Sequence, residues 1–176
     1  MVLSVQENKS RVIRARLLFL LILLSYVPAL SQKTLIPQKY LDIVPGVTTR
    51  EDVEWIYGKT DPKRSIMTYP ASDFVLTVMY SDGGCEEGRD MPWALPKGAI
   101  EEVSYSPLDD RPVRLREIIL QPSKFKAKQE GDVIDHWYYR NRKRNILVVY
   151  DTTEKVVTDI AVSLTSKQKE HFACSK

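Results

Sequence analysis

The chain is poor in the residues from which metal centres and acid–base sites are usually built. It has two histidines, His136 and His171, and two cysteines, Cys85 and Cys174, in 176 residues. Two cysteines do not complete a structural zinc site alone, and the histidines are as few. Asp82, Glu86, Glu87 and Asp90 cluster around glycines, but without the regular calcium-loop spacing. They read as a solvated loop, so neither a metal nor a cofactor is expected. Long apolar runs are missing too. The longest covers about 14 residues, Leu17 to Leu30, against roughly 20 for a membrane-spanning helix. Internal repeats and low-complexity tracts are absent.

What is present is a basic head. Lys9, Arg11, Arg14 and Arg16 precede the apolar Leu17–Leu24, and Ala29-Leu30-Ser31 closes the segment with small residues. This pattern predicts a secretory signal peptide over residues 1–31, cleaved before Gln32. An uncleaved anchor is the alternative, opposed by the short run and by Pro28. No cysteine closely follows the run, which closes the bacterial lipid-anchor route. The sequon Asn8-Lys9-Ser10 falls in the discarded part. The expected location is therefore exported, periplasmic or secreted, with no stable membrane span after cleavage.

Removing thirty-one of the 176 residues leaves 145, and the 26 basic and 23 acidic residues become 22 of each. The basic excess belongs to the head. A nucleic-acid binder keeps such an excess, so no nucleic-acid partner is expected. An even cysteine count in an exported chain predicts a disulfide, Cys85 to Cys174, rather than two separate buried thiols. Closing that loop contributes about 4–5 kcal/mol in chain-entropy estimates. Glu86, Glu87 and Asp90 would raise a free Cys85 thiol's pKa, which argues against a nucleophile there.

Residues 32–43 read as an irregular lead-in, and 44–176 as a single domain. Thr48 with Glu51, or Thr49 with Asp52, can cap a short helix whose apolar face holds Val53, Ile56 and Tyr57. Gly58 ends it, with Pro62 beyond. Phe74, Leu76, Val78 and Tyr80 alternate along a strand, with Ser65–Tyr69 as its hairpin partner. Strands are predicted at Ala99–Ser106, Val133–Arg140, Asn145–Asp151 and Val156–Leu164. The last places Val156, Thr158, Ile160, Val162 and Leu164 on one face. Leu108–Glu130, bounded by Pro112 and Pro122, reads as an irregular connection with a short strand. Ser166 caps a terminal helix, Lys167–Phe172. The expected class is α+β, a short helix and long connections packed on an antiparallel sheet of about five or six strands.

Pro45-Gly46-Val47-Thr48-Thr49-Arg50-Glu51-Asp52-Val53, followed by Tyr57-Gly58 and Pro62, resembles the opening of the small outer-membrane lipoprotein A family. The hairpin that follows is similar as well, so the resemblance covers residues 44–82. It implies a β-lactamase-inhibitor-protein-like domain, helices on an antiparallel sheet. The best-known family member is an accessory lipoprotein of the outer-membrane β-barrel assembly machinery. The resemblance carries over no catalytic residue. The lipid-bearing cysteine of the family is absent here, and the spacing from Gly58 to Pro62 is longer.

No catalytic residue is assigned. His136 neighbours Asp135, but adjacent strand residues point to opposite faces, so the two form no dyad. His136 reads as a sheet histidine among aromatics, and His171 as exposed. The candidate binding residues are Trp93, in the proline-flanked Met91-Pro92-Trp93-Ala94-Leu95-Pro96, and the basic tip Arg142, Lys143 and Arg144. Trp137, Tyr138 and Tyr139 read first as packing residues. The functional expectation is an exported, non-enzymatic protein-binding domain of the bacterial cell envelope, its partner an envelope or extracellular protein. A secreted inhibitor or ligand-binding module is the alternative, and a hydrolase comes third.

Overall fold

A computed structural model describes residues 34–83, 85, 94–129 and 135–174. The predicted signal peptide, Trp93 and the acidic Glu86, Glu87 and Asp90 lie outside the described residues. Residues from Thr34 onward belong to one unit.

The first helix, α1 (Arg50–Tyr57), is fixed by its cap. Thr49 accepts from the Asp52 backbone N–H, and the Asp52 carboxylate accepts from Thr49 N–H, a full capping box. Thr48 serves the turn before it, where its hydroxyl accepts from Val44 N–H at 2.8 Å. Gly58, at φ +99°, closes the helix. Val53 is buried, and Tyr57 packs on Tyr69 with ring centroids 5.8 Å apart. Arg50 pins the helix to its surroundings. Its guanidinium lies 4.0 Å from the Tyr80 ring centroid and donates to the carbonyls of Asp61 and Arg64.

Seven strands follow: β1 (Ile66–Pro70), β2 (Phe74–Tyr80), β3 (Ile100–Pro107), β4 (Lys126–Gln129), β5 (His136–Asn141), β6 (Ile146–Asp151) and β7 (Val156–Ser163). All neighbours pair antiparallel, in the order β1-β2-β3-β7-β6-β5-β4. Two meanders thus meet at the β3–β7 pair. Between them the chain crosses over through α2 (Leu115–Ile118) and a 3-10 turn, Pro122–Lys124. After β7 comes α3 (Ser166–His171), capped by Thr165 with Gln168.

The expected α+β class with five or six strands is corrected by this arrangement. The helices have 8, 4 and 6 residues, too short to form a layer of their own. The sheet has seven strands, and the fold is β-rich. Its core face is covered by α1, by the crossover residues Ile118, Ile119 and Phe125, and by the lead-in, which buries Ile36, Tyr40 and Ile43. From the sheet come Leu76, Val78, Val103, Tyr105, Val148 and Ile160, all fully buried.

Two bulges set which residues face that core. At β2–β3, Met79 pairs with Glu102 and Tyr80 with Ile100, so the register shifts beside Glu101. At β6–β7, Val149 pairs with Asp159 and Tyr150 with Val157, which leaves Thr158 extra. Beyond the bulge Val157, not Val156 or Thr158, is the buried residue. The predicted single face of that strand therefore breaks in phase at Thr158.

The tyrosines of the core differ in one respect that stability will register. Tyr69 and Tyr80 share a hydrogen bond between hydroxyls at 2.8 Å. The buried Tyr105 hydroxyl finds no partner among the described residues. An unpaired buried hydroxyl loses its hydration without return. Tyr105→Phe is expected to raise the unfolding free energy by about 1 kcal/mol, and Tyr80→Phe to lower it by a similar amount. Denaturant titration of the two variants checks the opposite signs.

Candidate functional site

The sheet face opposite the core carries the polar chemistry. By register its central rows hold Thr77, Ser104, Ala161 and Leu147 in line, with Glu102 opposite Ser163 and Asp159 opposite Val149. Ser104 and Ser106 both donate to Asp159 Oδ1, Ser106 at 3.2 Å. Burial pushes the Asp159 carboxyl above its ordinary pKa, against the opposing pull of those two hydroxyls. Glu102 is raised for the same first reason, with the Asp159 charge adding to it and Lys169 opposing.

Both carboxyls therefore hold their protons more tightly folded than unfolded. Their contribution to stability is present at low pH and is lost as pH rises through the folded pKa. Asp159→Asn keeps an oxygen to accept from the serines and removes the buried charge. It is expected to stabilise the domain more at about pH 8 than at about pH 5. Thermal melts at the two pH values measure the difference.

His136 meets a different acid from its sequence neighbour. The β5–β6 register sets it opposite Asp151, with Nε2 3.9 Å from Oδ2. Asp151 is held below the usual carboxylate range, first by the Glu154 backbone N–H. The other imidazole nitrogen, Nδ1, is buried without a hydrogen-bond partner. Among the described residues no group of three histidine, cysteine, aspartate or glutamate side chains converges on a metal position.

The predicted disulfide is present. Cys85 and Cys174 are bonded, with Cα atoms 5.7 Å apart. The bond joins the segment after β2 to the chain beyond α3. Beside it, Ala94 N–H donates to the Phe172 carbonyl at 2.9 Å. The basic tip Arg142, Lys143 and Arg144 is exposed in the turn between β5 and β6, and Arg144 N–H donates to Asn141 Oδ1. Arg142 lines a cavity on the polar face, whereas Lys143 and Arg144 do not.

The most exposed aromatic in the described structure was not among the sequence candidates. Trp55 is 91% exposed and its neighbour Ile56 68%. At about 100° per residue, Trp55 stands opposite Val53 on α1. Ile56, expected on the apolar face, turns outward because Val53 and Tyr57 alone meet the core. Val47, in the turn that leads into the helix, is 70% exposed. The signal was available: tryptophan six residues past the threonine cap Thr49 and two past Val53, on a helix only two turns long, cannot share a face with Val53. Trp137 is 37% exposed at the margin of the core face.

Comparison with protein-family models, curated proteins and solved structures finds no match to this chain. Among the described residues no helix is long and apolar enough to cross a membrane.

Proposed function

We propose that this chain is an exported, non-enzymatic protein-binding domain of the bacterial cell envelope, and that α1 presents its contact surface. The observation that carries the reading is Trp55, a tryptophan almost wholly in solvent beside the exposed Ile56. Exposed apolar surface of this kind marks interaction sites, and tryptophan is among the residues most enriched at binding hot spots. The helix is held in place before any partner arrives. Its capping box, the Arg50 contacts and the bond from the Thr60 hydroxyl to Glu54 all fix it to the domain. Little ordering entropy is then lost on binding.

The disulfide fits an oxidising compartment, which is the support for a periplasmic or secreted location. The resemblance of residues 44–82 to the small outer-membrane lipoprotein A family agrees with an envelope role. The partner is expected to present an apolar groove able to take an indole ring, as interfaces built on one aromatic anchor do.

The test uses the exported chain, tagged at its carboxyl terminus, to capture partners from envelope extracts of its source cells. Trp55→Ala with Ile56→Ala should lose a discrete bound protein while the melting temperature stays put, since neither side chain supports the core. Capture of the same protein by the double variant at undiminished yield would contradict the assignment of α1.

A further inference from the structure

The core face of the sheet is left partly open at its β4–β5 end. The crossover that covers it there is thin, since α2 is a single turn and the 3-10 turn at Pro122 follows at once. Leu115, Ile119, Pro122 and Phe125 from the crossover meet Ala127 on β4 and Tyr139 on β5 around a cavity of about 410 Å³. Ile119 and Phe125 are buried. Ala127 pairs directly with Tyr139 and is exposed, so the smallest side chain of the lining stands at the open edge of the sheet. None of these residues belongs to the α1 surface.

The lining carries one charge, Arg116, which is exposed. It enters no ion pair or hydrogen bond with the described residues. The neighbouring carboxylate of Glu117 is occupied, accepting from the Arg114 backbone N–H at 3.1 Å. Arg116 also borders a second cavity, whose other charged residues are Arg114, Glu154 and Lys155. Three cations against one acid leave that side positive. Among the lining side chains only Arg116 and the Tyr139 hydroxyl are polar. A peptide laid in the cavity would bury amides against hydrocarbon, at a cost for each group left unpaired. A polymethylene chain carries no such groups.

We propose that this cavity binds a fatty acid, its tail against Ile119, Phe125, Ala127 and Tyr139 and its carboxylate on the Arg116 guanidinium. A guanidinium fork matches a carboxylate with two parallel hydrogen bonds. The cavity has the volume of about a dozen waters, at roughly 30 Å³ each. A methylene group is of similar size, so a saturated chain of about a dozen carbons fills it. Small-ligand sites have this make-up, an apolar lining with a few polar groups that fix orientation.

The test is a chain-length series. Octanoate, decanoate, dodecanoate and tetradecanoate, each below its micelle concentration, are titrated calorimetrically into the oxidised chain. Affinity should rise about fourfold per added methylene and level off near about twelve carbons. Arg116→Gln, which keeps most of the stem and loses the charge, should weaken decanoate about fivefold and leave decanol unchanged. Lys126→Gln, on the other face of β4, should change neither. Ala127→Leu fills the cavity from an exposed position. It should weaken acid and alcohol alike by about tenfold or more, with the melting temperature of the free protein held. Four results overturn the proposal. The acids do not bind. Affinity climbs to tetradecanoate without levelling, as adsorption to any apolar surface does. Arg116→Gln and Lys126→Gln weaken decanoate equally, which is general attraction to cations. Ala127→Leu melts like the parent and binds both compounds as the parent does, which puts the tail elsewhere.

Discussion

Replacing Cys85 and Cys174 with alanine is expected to lower the unfolding free energy by about 2–5 kcal/mol. The two residues are 89 apart in sequence, and a crosslink of that span removes much conformational freedom from the unfolded chain. What the bond holds in the folded state makes the effect more than entropic. The chain beyond α3 also pairs with Ala94 through the Phe172 carbonyl, and Gln168 donates to the Pro45 carbonyl at 2.8 Å. Without the crosslink, α3 still has the Gln168 bond to Pro45 and the close approach of Gln168 and Phe172 to Gly46. Urea titration of oxidised, reduced and alanine-substituted protein measures the loss. The reduced and substituted forms should agree closely. A difference below about 1 kcal/mol from the oxidised form would mean that the seam is held by packing alone.

Gly46→Ala should act on the same seam from the other side. Gly46 sits at φ +74°, and an added Cβ would stand 2.9 Å from Leu164 Cδ2, with Gln168 and Phe172 3.4 Å away. A left-handed conformation costs a non-glycine residue about 1–2 kcal/mol, and overpacking adds about 1–3. The expected destabilisation is about 2–5 kcal/mol. Gly58→Ala separates the two causes. Gly58 also has a positive φ, +99°, but nothing lies within 4 Å of its built Cβ. It should show the strain without the collision, and so the smaller loss. Because Gly46 and Cys174 share the α3 seam, their effects should not add. A double variant is expected to lose less than the sum of the single losses.

Much of the sheet could be read from alternation, because one face of each long strand is buried. Phe74, Leu76, Val78 and Tyr80 announce β2 in this way, and all four are buried. The two threonines left the helix start ambiguous by one residue. Only the structure separates them, since Thr48 serves Val44 and Thr49 the helix. A short strand was expected within Leu108–Glu130, but its place at β4 was not legible. Lys126, Ala127, Lys128 and Gln129 are all exposed, so no apolar period marks them. The helix inside Leu108–Glu130 is a single turn, too short for a 3.6-residue pattern. The phase error in β7 has a local cause, the extra residue at Thr158, which alternation alone cannot foresee.

The candidate site was less legible than the sheet. The basic tip was visible as a run of charge, and it does form an exposed turn. That Arg142 faces a cavity while Lys143 and Arg144 do not depends on the twist of the β5–β6 turn. Pairing of His136 with Asp151 rather than Asp135 needs the register of two strands. Trp55 was hidden by its neighbours. Tyr57 and Ile56 both suggest an inward apolar face, yet a helix of two turns with Val53 at its centre buries a narrow stripe.

Site-specific photo-crosslinking tests α1 as a contact surface most directly. A benzophenone side chain is placed at Trp55 in the full chain, in its source cells, and at Lys59 and Lys63 as exposed controls. Irradiation should give one discrete protein adduct from position 55, absent from both controls and suppressed by Ile56→Asp. An adduct pattern from position 55 that is no different from the patterns at 59 and 63 would contradict the assignment.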